Sequence, residues 1–259
     1  MEKWSTEKKI ILAEAVMLFF SKCEKVVFMS DILKYTNGSK NPKKIFDTLK
    51  HNILFARDNP NYFYPSGIWV FCGPQGSGKT LSAVKCLREI LAEYPKAMVV
   101  SNIELKGIDR EIIPFTDYEQ LTNMSNGIEG IIFFLDEIHV LWNSLESKDI
   151  PISEMACFCQ MRKDRRVIIG TSQVYNRIAK PIREQLQYVI DCKNYFGLLQ
   201  ANTILDPSNC VEVNGRLEAD ILGHRYWFHS PDLYNSYDTL FKIEKAKRKE
   251  VKRNGRFSN

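Results

Sequence analysis

One stretch of the sequence decides the fold: Gly73-Pro74-Gln75-Gly76-Ser77-Gly78-Lys79-Thr80, which fits the pattern G-x-x-x-x-G-K-[ST]. An apolar run at residues 68–72 precedes it, and apolar residues follow it at helical spacing. A strand, a glycine loop and a helix N-terminus in this order form an anion site, because successive backbone N–H groups turn toward the phosphates. The sequence therefore predicts a nucleoside triphosphate as ligand.

The residues of this loop have separate expected roles. Lys79 reaches the β and γ phosphates of ATP, and the Thr80 hydroxyl ligates Mg²⁺. We expect nucleotide contacts from the whole loop and from the residue after it: Gly73, Pro74, Gln75, Gly76, Ser77, Gly78, Lys79, Thr80 and Leu81. A glycine-rich turn that binds nothing is the alternative, and the flanking strand and helix patterns argue against it.

A second apolar run, residues 130–135, ends in two adjacent carboxylates. We expect Asp136 to hold Mg²⁺ through its hydration shell and Glu137 to activate the attacking water as a general base. Such a pair favours hydrolysis over phosphoryl transfer to a small molecule, so a kinase on the same loop is less favoured. Two solvated carboxylates at a strand end are the alternative.

Two further polar residues complete the expected site. Gln173 follows the apolar run at residues 167–170, where its amide can hydrogen-bond the γ phosphate and the water as a sensor; an ordinary strand-end amide is the alternative. Arg162 is expected to stabilise the transferring phosphoryl group from a neighbouring subunit, because guanidinium is always charged and binds bidentately. Arg165 and Arg166 are alternatives for this role, and so is a basic turn that faces solvent or DNA.

The composition is that of an ordinary globular protein, with 259 residues of which 44% are hydrophobic. No run approaches the roughly 20 apolar residues that span a bilayer, and the N-terminus lacks a signal-peptide pattern. The seven cysteines are odd in number and form no C-x-x-C pair, which argues against disulfides and a zinc site. We therefore expect a cytoplasmic protein without a transmembrane segment.

Charge is distributed unevenly around a net value of +5. Residues 1–65 carry 11 Lys and Arg against 7 Asp and Glu, residues 66–241 carry 17 against 22, and residues 242–259 carry 8 against 2. Basic ends attract phosphate backbones and anionic membrane surfaces. DNA is thus a candidate partner of both flanks, and a solvated tail that binds nothing is an equal alternative.

The pattern along the chain predicts three parts. Helices are expected at residues 6–22, from Ser30, and from Pro42 with Asn41 as cap, and turn formers end this helical preface near residue 60. From residue 66 buried-looking strands alternate with helices, as in a parallel α/β sheet covered on both faces. The expected domains are therefore residues 1–60, an ATPase domain with a C-terminal extension at 66–235, and a basic tail at 236–259.

Some residues carry no predicted chemistry. Residues 195–235 read as extended segments and turns. His139, Trp142 and the aromatic residues at 226–228 are expected to pack in the interior rather than to stack on nucleic-acid bases.

Over roughly residues 66–205 the sequence resembles the zonular occludens toxin-type ATPases of the FtsK/HerA superfamily. The resemblance rests on GPQGSGKT, Ser101-Asn102-Ile103, FFLDEIH at 133–139, Arg162, TSQ at 171–173 and residues 178–183. It implies a RecA-like P-loop NTPase of the ASCE class, with strand order 5-1-4-3-2 in its parallel sheet and flanking helices. It also implies that Pro181 starts a short helix from which Arg183 faces the nucleotide.

The resemblance further implies a ring of subunits that couples ATP hydrolysis to phage-like virion assembly, DNA packaging or DNA translocation, with phage structural proteins as further candidate partners. We therefore expect an oligomeric Mg²⁺-dependent ATPase, located in the host cytoplasm if it is phage-encoded. The alternative is a nucleotide-gated switch, in which slow hydrolysis changes the affinity for a protein or DNA partner without translocation.

Overall fold

The computed structural model describes residues 42–237, which form parts of two compact units that divide between Tyr62 and Phe63. The predicted helices at residues 6–22 and from Ser30, and the basic residues after 237, lie outside the described residues. In the first unit, helix α1 (Pro42–Asp58) begins at the predicted proline. Phe55 of this helix packs edge-on against Tyr62, with 5.1 Å between the ring centroids.

The second unit contains the remaining elements, which in the described residues are ten strands, six α-helices and four short 3₁₀ segments. The strands are β1 (Gly67–Cys72), β2 (Met98–Ser101), β3 (Ile112–Pro114), β4 (Ile131–Leu135), β5 (Arg166–Ser172), β6 (Leu186–Tyr195), β7 (Leu199–Leu205), β8 (Val211–Val213), β9 (Arg216–Glu218) and β10 (Ile221–Phe228). The helices are α2 (Lys79–Glu93), α3 (Glu119–Asn123), α4 (Ile138–Leu141), α5 (Ile152–Gln160), α6 (Lys180–Arg183) and α7 (Pro231–Tyr234). The 3₁₀ segments are Gly127–Glu129, Ser144–Asp149, Tyr175–Arg177 and Pro207–Asn209.

Eight strands form one sheet in the order β10-β7-β6-β1-β5-β4-β2-β3. The six strands from β6 to β3 are parallel, whereas β7 is antiparallel to β6 and β10 is antiparallel to β7. Numbered along the chain, the five strands β6-β1-β5-β4-β2 have the order 5-1-4-3-2, which confirms the predicted topology. Strand β3 extends one edge of this sheet, and β7 and β10 extend the other.

Burial explains why the central strands are continuously apolar. Every residue of β4 and β5 is buried, because helices cover both faces of the sheet. Side chains alternate between two cores: Ile68 and Val70 of β1 belong to the core that contains Phe158 of α5, and Phe71 belongs to the core that contains Leu87 of α2. These three layers confirm the predicted α/β fold of a RecA-like P-loop NTPase.

The last described residues still contact the sheet domain. Lys106 N donates to the carbonyl of Ser236, Leu105 and Tyr237 form an antiparallel bridge, and Ser236 is buried. The contacts of this domain therefore extend at least to Tyr237. Each helix within residues 42–237 is too short or too polar to cross a bilayer.

Candidate nucleotide-binding site

The glycine loop connects the C-terminal end of β1 to the first turn of α2. Gly76 and Gly78 have φ of 80° and 82°, a region in which a Cβ atom is strongly disfavoured. Lys79 is buried, and its Nζ lies 3.4 Å from the Pro74 carbonyl oxygen. The helix that follows has 15 residues, so its N-terminal N–H groups and positive dipole end face the loop. The loop and helix together have the geometry of a phosphate site.

Asp136 lies beside Thr80, as the sequence predicted from two distant motifs. The Thr80 hydroxyl donates to Asp136 Oδ1 at 3.0 Å, and the Thr171 hydroxyl donates to the same oxygen at 2.7 Å. Burial raises the pKa of Asp136, and the neighbouring Glu137 charge adds to the increase, while the bonds from Thr171 and Thr80 oppose it. The first turn of α2, the residue after β4 and the end of β5 thus place one oxygen cluster at the same edge of the sheet.

Asn102 fixes the backbone at Asp136 from the neighbouring strand end. Its Oδ1 accepts from Asp136 N at 2.8 Å, and its Nδ2 donates to the Asp136 carbonyl at 2.9 Å. The sequence marked Asn102 only as part of a family resemblance. Its function as a two-point clamp follows from the pairing of β2 with β4.

Glu137 has the left-handed conformation with φ of 51°, which is uncommon for a residue with a side chain and concentrates at functional sites. Its N–H donates to Thr171 Oγ1 at 2.9 Å, which holds this turn in place. Its Oε1 accepts from Gln173 Nε2 at 3.0 Å. The predicted base and the predicted sensor are therefore direct neighbours.

His139 contacts the other oxygen of Glu137, a contact that the sequence did not reveal. Its Nδ1 lies 3.2 Å from Glu137 Oε2 and 3.2 Å from Ser172 Oγ. Burial lowers the pKa of His139, with smaller effects from Glu137, which raises it, and from Arg177 and Lys79, which lower it. Burial therefore favours the neutral form of the ring. The predicted burial of His139 is correct, but the residue also belongs to the polar site.

Arg162 lies after α5 and before β5, at the N-terminal edge of the sheet, whereas the glycine loop lies at the C-terminal edge. The seven residues of β5 separate the two edges by about 20 Å. Arg162 is exposed and cannot reach the phosphate loop of its own subunit. Its expected role at a neighbouring subunit stays a prediction.

The neighbouring arginines are engaged in structural contacts. Arg166 is only 6% exposed and donates to the carbonyl oxygens of Leu121, Thr122 and Met124 at the C-terminal end of α3. This arrangement excludes Arg166 from a catalytic role in another subunit. Arg165 Nη1 donates to the Gly127 carbonyl at 3.2 Å.

Arg183 lies in the helix α6 that was expected at Pro181. Its guanidinium carbon lies 5.3 Å from the ring centroid of Tyr175, and its Nη1 donates to Asn176 Oδ1 at 2.9 Å. These contacts hold Arg183 on the segment after β5. Its predicted contact with the nucleotide stays a prediction.

Residues 195–235 contain contacts that the sequence did not suggest. Gln200 and Asn202 of β7 are buried beside the glycine loop and α2. Trp142 is buried as predicted, but the predicted packing of Tyr226 and Phe228 is wrong, because they are 65% and 78% exposed on β10. Successive side chains of the edge strand β10 point to opposite faces of the sheet, so these two side chains lie on the face opposite to the half-buried Trp227.

The six cysteines in the described part of the chain are free thiols. Burial raises the pKa of Cys72 well above its ordinary value, with further increases from Cys192 and Cys210 nearby. No group of three or more His, Cys, Asp or Glu side chains within residues 42–237 is arranged to hold a metal.

Comparison with known proteins adds a sequence family and several similar folds. The family described as "ATPase family associated with various cellular activities (AAA)" matches residues 69–194. No curated protein shows significant similarity to the chain.

Three solved structures illustrate the structural similarity. The N-terminal domain of zonular occludens toxin from Neisseria meningitidis has a TM-score of 0.44 and 15% identity, over 67% of this chain and 99% of that chain. The genome packaging NTPase B204 from Sulfolobus turreted icosahedral virus 2, in complex with ATP-gammaS, has a TM-score of 0.45 and 10% identity, over 60% of this chain and 96% of that one. The flagellar accessory protein FlaH from Methanocaldococcus jannaschii has a TM-score of 0.37 and 13% identity, over 54% of this chain and 77% of that one.

The AAA family matches the region that contains the glycine loop, the Asp136 and Glu137 pair, and most of strands β1 to β6. The segment that holds these features, residues 69–194, therefore matches an ATPase family.

Proposed function

We propose that this protein hydrolyses ATP with Mg²⁺ and uses the energy for phage-like virion assembly, DNA packaging or DNA translocation as a homo-oligomeric motor of the FtsK/HerA type. One observation supports the proposed hydrolysis: four side chains meet at one sheet edge beside the glycine loop, namely Thr80, Asp136, Glu137 and Gln173. The match of residues 69–194 to an ATPase family supports it.

The residues present fit a magnesium ion. Thr80 Oγ1 and Asp136 Oδ1 are hard oxygen donors 3.0 Å apart, and Mg²⁺ typically takes one or two protein oxygens, phosphate oxygens and waters. Thr80 would hold the ion directly and Asp136 through its water shell. When bound, the ion neutralises charge on the β and γ phosphates.

The remaining steps belong to the residues of the chain. Residues 73–81 surround the phosphates, with backbone N–H groups from every residue except Pro74, and Lys79 adds a positive charge at the γ phosphate. Glu137 accepts the proton of the attacking water at a carboxylate oxygen. Gln173 holds Oε1 of that carboxylate and orients the water beside the γ phosphate.

An oligomer is supported by the position of Arg162. This exposed arginine lies at the edge opposite to its own glycine loop, so it serves an ATP site only when a second subunit supplies that site. Arg183 would contact the nucleotide only after its contacts with the Tyr175 ring and Asn176 Oδ1 break.

DNA and phage structural proteins are the partners that we propose for the motor. The eight Lys and Arg among residues 242–259 support DNA, because a phosphate backbone attracts such a segment. We place the protein in the cytoplasm, where its free thiols stay reduced. The helical preface at residues 1–60 and the basic tail at 236–259 would flank the ATPase domain at 66–235.

One contact favours a second candidate, a nucleotide-gated switch. The Gln173 amide occupies Oε1 of Glu137, so the base is restrained until this bond changes. Slow, gated hydrolysis is the property that a switch requires.

Steady-state ATP hydrolysis, measured with and without Mg²⁺, single-stranded DNA and double-stranded DNA, tests the proposal. Light scattering of the same samples gives the oligomeric state. DNA-stimulated turnover by a ring-sized species is the expected result, and Lys79→Ala should remove it. A monomer that hydrolyses ATP slowly and does not respond to DNA would favour the switch over the motor. An absence of Mg²⁺-dependent turnover would overturn both proposals.

A further inference from the structure

The antiparallel hairpin of β6 and β7 extends the sheet directly beside the glycine loop. Gln200 of β7 has 0% exposure, and its Nε2 donates to the Ser77 carbonyl oxygen at 2.9 Å. The same nitrogen lies 3.1 Å from Asn202 Oδ1, and Gln200 Oε1 lies 3.0 Å from His229 Nε2. Both ends of this buried amide are therefore hydrogen-bonded, one to the loop and the other to the segment after β10.

The packing at Gly78 shows how closely Gln200 fits the loop. A Cβ atom on Gly78 would lie 2.2 Å from Gln200 Oε1, so any side chain at this position would displace the Gln200 amide from the loop. Glycine at position 78 thus has two functions: it adopts a left-handed φ of 82° and it admits Gln200 to the loop backbone.

Two other amides of the hairpin bond the same region. Asn194 Nδ2 donates to the Gly76 carbonyl at 3.3 Å. Asn202 Oδ1 accepts from the hydroxyl of Ser82, in the first turn of α2, at 3.1 Å. The hairpin therefore holds the loop at two carbonyls and the following helix at a third point.

The peptide plane explains what the bond to Ser77 does. In a trans peptide the C=O and N–H groups point in opposite directions. When Gln200 holds the Ser77 carbonyl toward β7, the N–H of Gly78 must point away from β7. A free Ser77–Gly78 peptide would rotate, and the anion site would lose a fixed donor.

We propose that Gln200 is a positioning residue of the phosphate loop, which fixes the Ser77–Gly78 peptide in the orientation that binds the β phosphate. This inference rests on the proposed function, because it concerns the same nucleotide site. His229 is the supporting residue, since its Nε2 holds the Gln200 amide, and its Nδ1 contacts the hydroxyl of Tyr234.

Gln200→Leu tests the proposal, because leucine keeps much of the side-chain volume and removes both amide groups. Gln187→Leu is the matched control: it removes an amide from the opposite end of β6, where Gln187 Oε1 accepts from Trp69 Nε1 at 3.2 Å. Two quantities are measured, namely the Kd of a fluorescent ATP analogue and the hydrogen exchange of backbone amides 76–80 in the nucleotide-free protein.

In Gln200→Leu we expect the Kd to rise about tenfold and amide exchange at 76–80 to accelerate, since a buried hydrogen bond and its partner are lost. The control should keep the wild-type values. A merely structural function would lower the melting temperature and accelerate exchange throughout β6 and β7, with an unchanged Kd in the folded protein. That result, or a Kd and an exchange pattern equal to those of the control, would overturn the proposal.

His229→Phe provides a second test if Gln200→Leu does not fold. The half-buried ring is replaced by another ring, and the Gln200 amide loses its outer partner. We expect a Kd about threefold higher and faster exchange at residues 76–80. Wild-type values in this variant would contradict the proposal. If wild-type protein binds no nucleotide, the proposed function fails, while the exchange measurement still tests the position of the loop.

Discussion

Gln173 donates a hydrogen bond from Nε2 to Oε1 of Glu137, at 3.0 Å. Glu137 reaches this position through a left-handed turn with φ of 51°, and Gln173 follows directly after β5. Two strands that are neighbours in the sheet, β4 and β5, therefore place these side chains together although they are far apart in sequence. The bond couples the candidate base to the candidate γ-phosphate sensor.

Replacement of Glu137 by glutamine should separate binding from turnover. Glu137→Gln keeps the side-chain shape and removes the proton acceptor, so we expect ATP hydrolysis to fall at least about 100-fold. The affinity for an ATP analogue should stay within about twofold of wild type, because the phosphate loop is unchanged. Glu111→Gln, an exposed residue, is the control and should hydrolyse ATP normally. Normal turnover in Glu137→Gln would remove Glu137 from its assigned function.

Gln173→Ala should slow hydrolysis about tenfold, because Glu137 and the water lose an orienting amide. Its effect should be largely absent in the Glu137→Gln background, since both residues act on the same step. Single-turnover rates of the two single variants and the double variant measure this coupling. Fully additive losses would show that the hydrogen bond between them has no catalytic function.

Thr80 can be tested through the Mg²⁺ requirement. Thr80→Ala removes the proposed metal ligand, so the Mg²⁺ concentration for half-maximal ATP hydrolysis should rise about tenfold or more. Thr80→Ser keeps the hydroxyl and should retain the wild-type requirement. Equal Mg²⁺ titration curves for Thr80→Ala and wild type would show that the Thr80 hydroxyl does not hold the metal.

Two arginines of the cluster differ in burial, because Arg166 is buried in structural contacts and Arg162 is exposed. Arg166→Met leaves three carbonyls at the end of α3 without their donor, and should lower the free energy of unfolding by about 3 kcal/mol. Arg162→Ala should change it by less than about 0.5 kcal/mol. Denaturant unfolding measures both values, and a large loss in Arg162→Ala would indicate a structural function for that residue.

Mixed oligomers test the action of Arg162 between subunits. If Arg162 serves the neighbouring ATP site, Arg162→Ala subunits added to wild type should lower the rate of hydrolysis more than dilution predicts. The measurement is ATP turnover against the fraction of variant subunits. A linear dependence would confine any effect of Arg162 to its own subunit.

His139 predicts a pH dependence of stability. Its pKa in the folded protein is lowered mainly by burial, whereas an unfolded histidine has a pKa of about 6.5. Below about pH 6.5 the unfolded chain therefore binds more protons at this residue, and the free energy of unfolding falls as the pH falls. His139→Gln should remove this contribution. Thermal unfolding between about pH 5 and pH 7.5 measures it, and parallel curves for the two proteins would contradict the prediction.

The sequence predicted the central fold because its signals are local. A buried parallel strand needs a continuous apolar run, and the phosphate loop needs glycines and a following helix, so residues 68–72 and 73–80 show their structure directly. Asp136 and Glu137 at the end of such a run predicted the second part of the site for the same reason.

The contacts of His139 and of the β6–β7 hairpin were not predictable in this way. His139 reaches Glu137 only through the left-handed turn at Glu137, and no residue type in the sequence requires that turn. Gln200 reads as an ordinary polar residue in an extended segment. Only the antiparallel pairing of β7 with β6 brings it to Ser77.

The sequence by itself determined the class of the domain, the phosphate loop and the two carboxylates, because each depends on a short pattern of residue types. The tertiary structure decided which side chains support them, because Thr171, Gln173, His139 and Gln200 act through contacts between strands that are distant along the chain. It also decided that Arg166 is buried and donates to backbone carbonyls, whereas Arg162 is exposed. Burial here depends on the packing of α3 against β5 and not on the residue type.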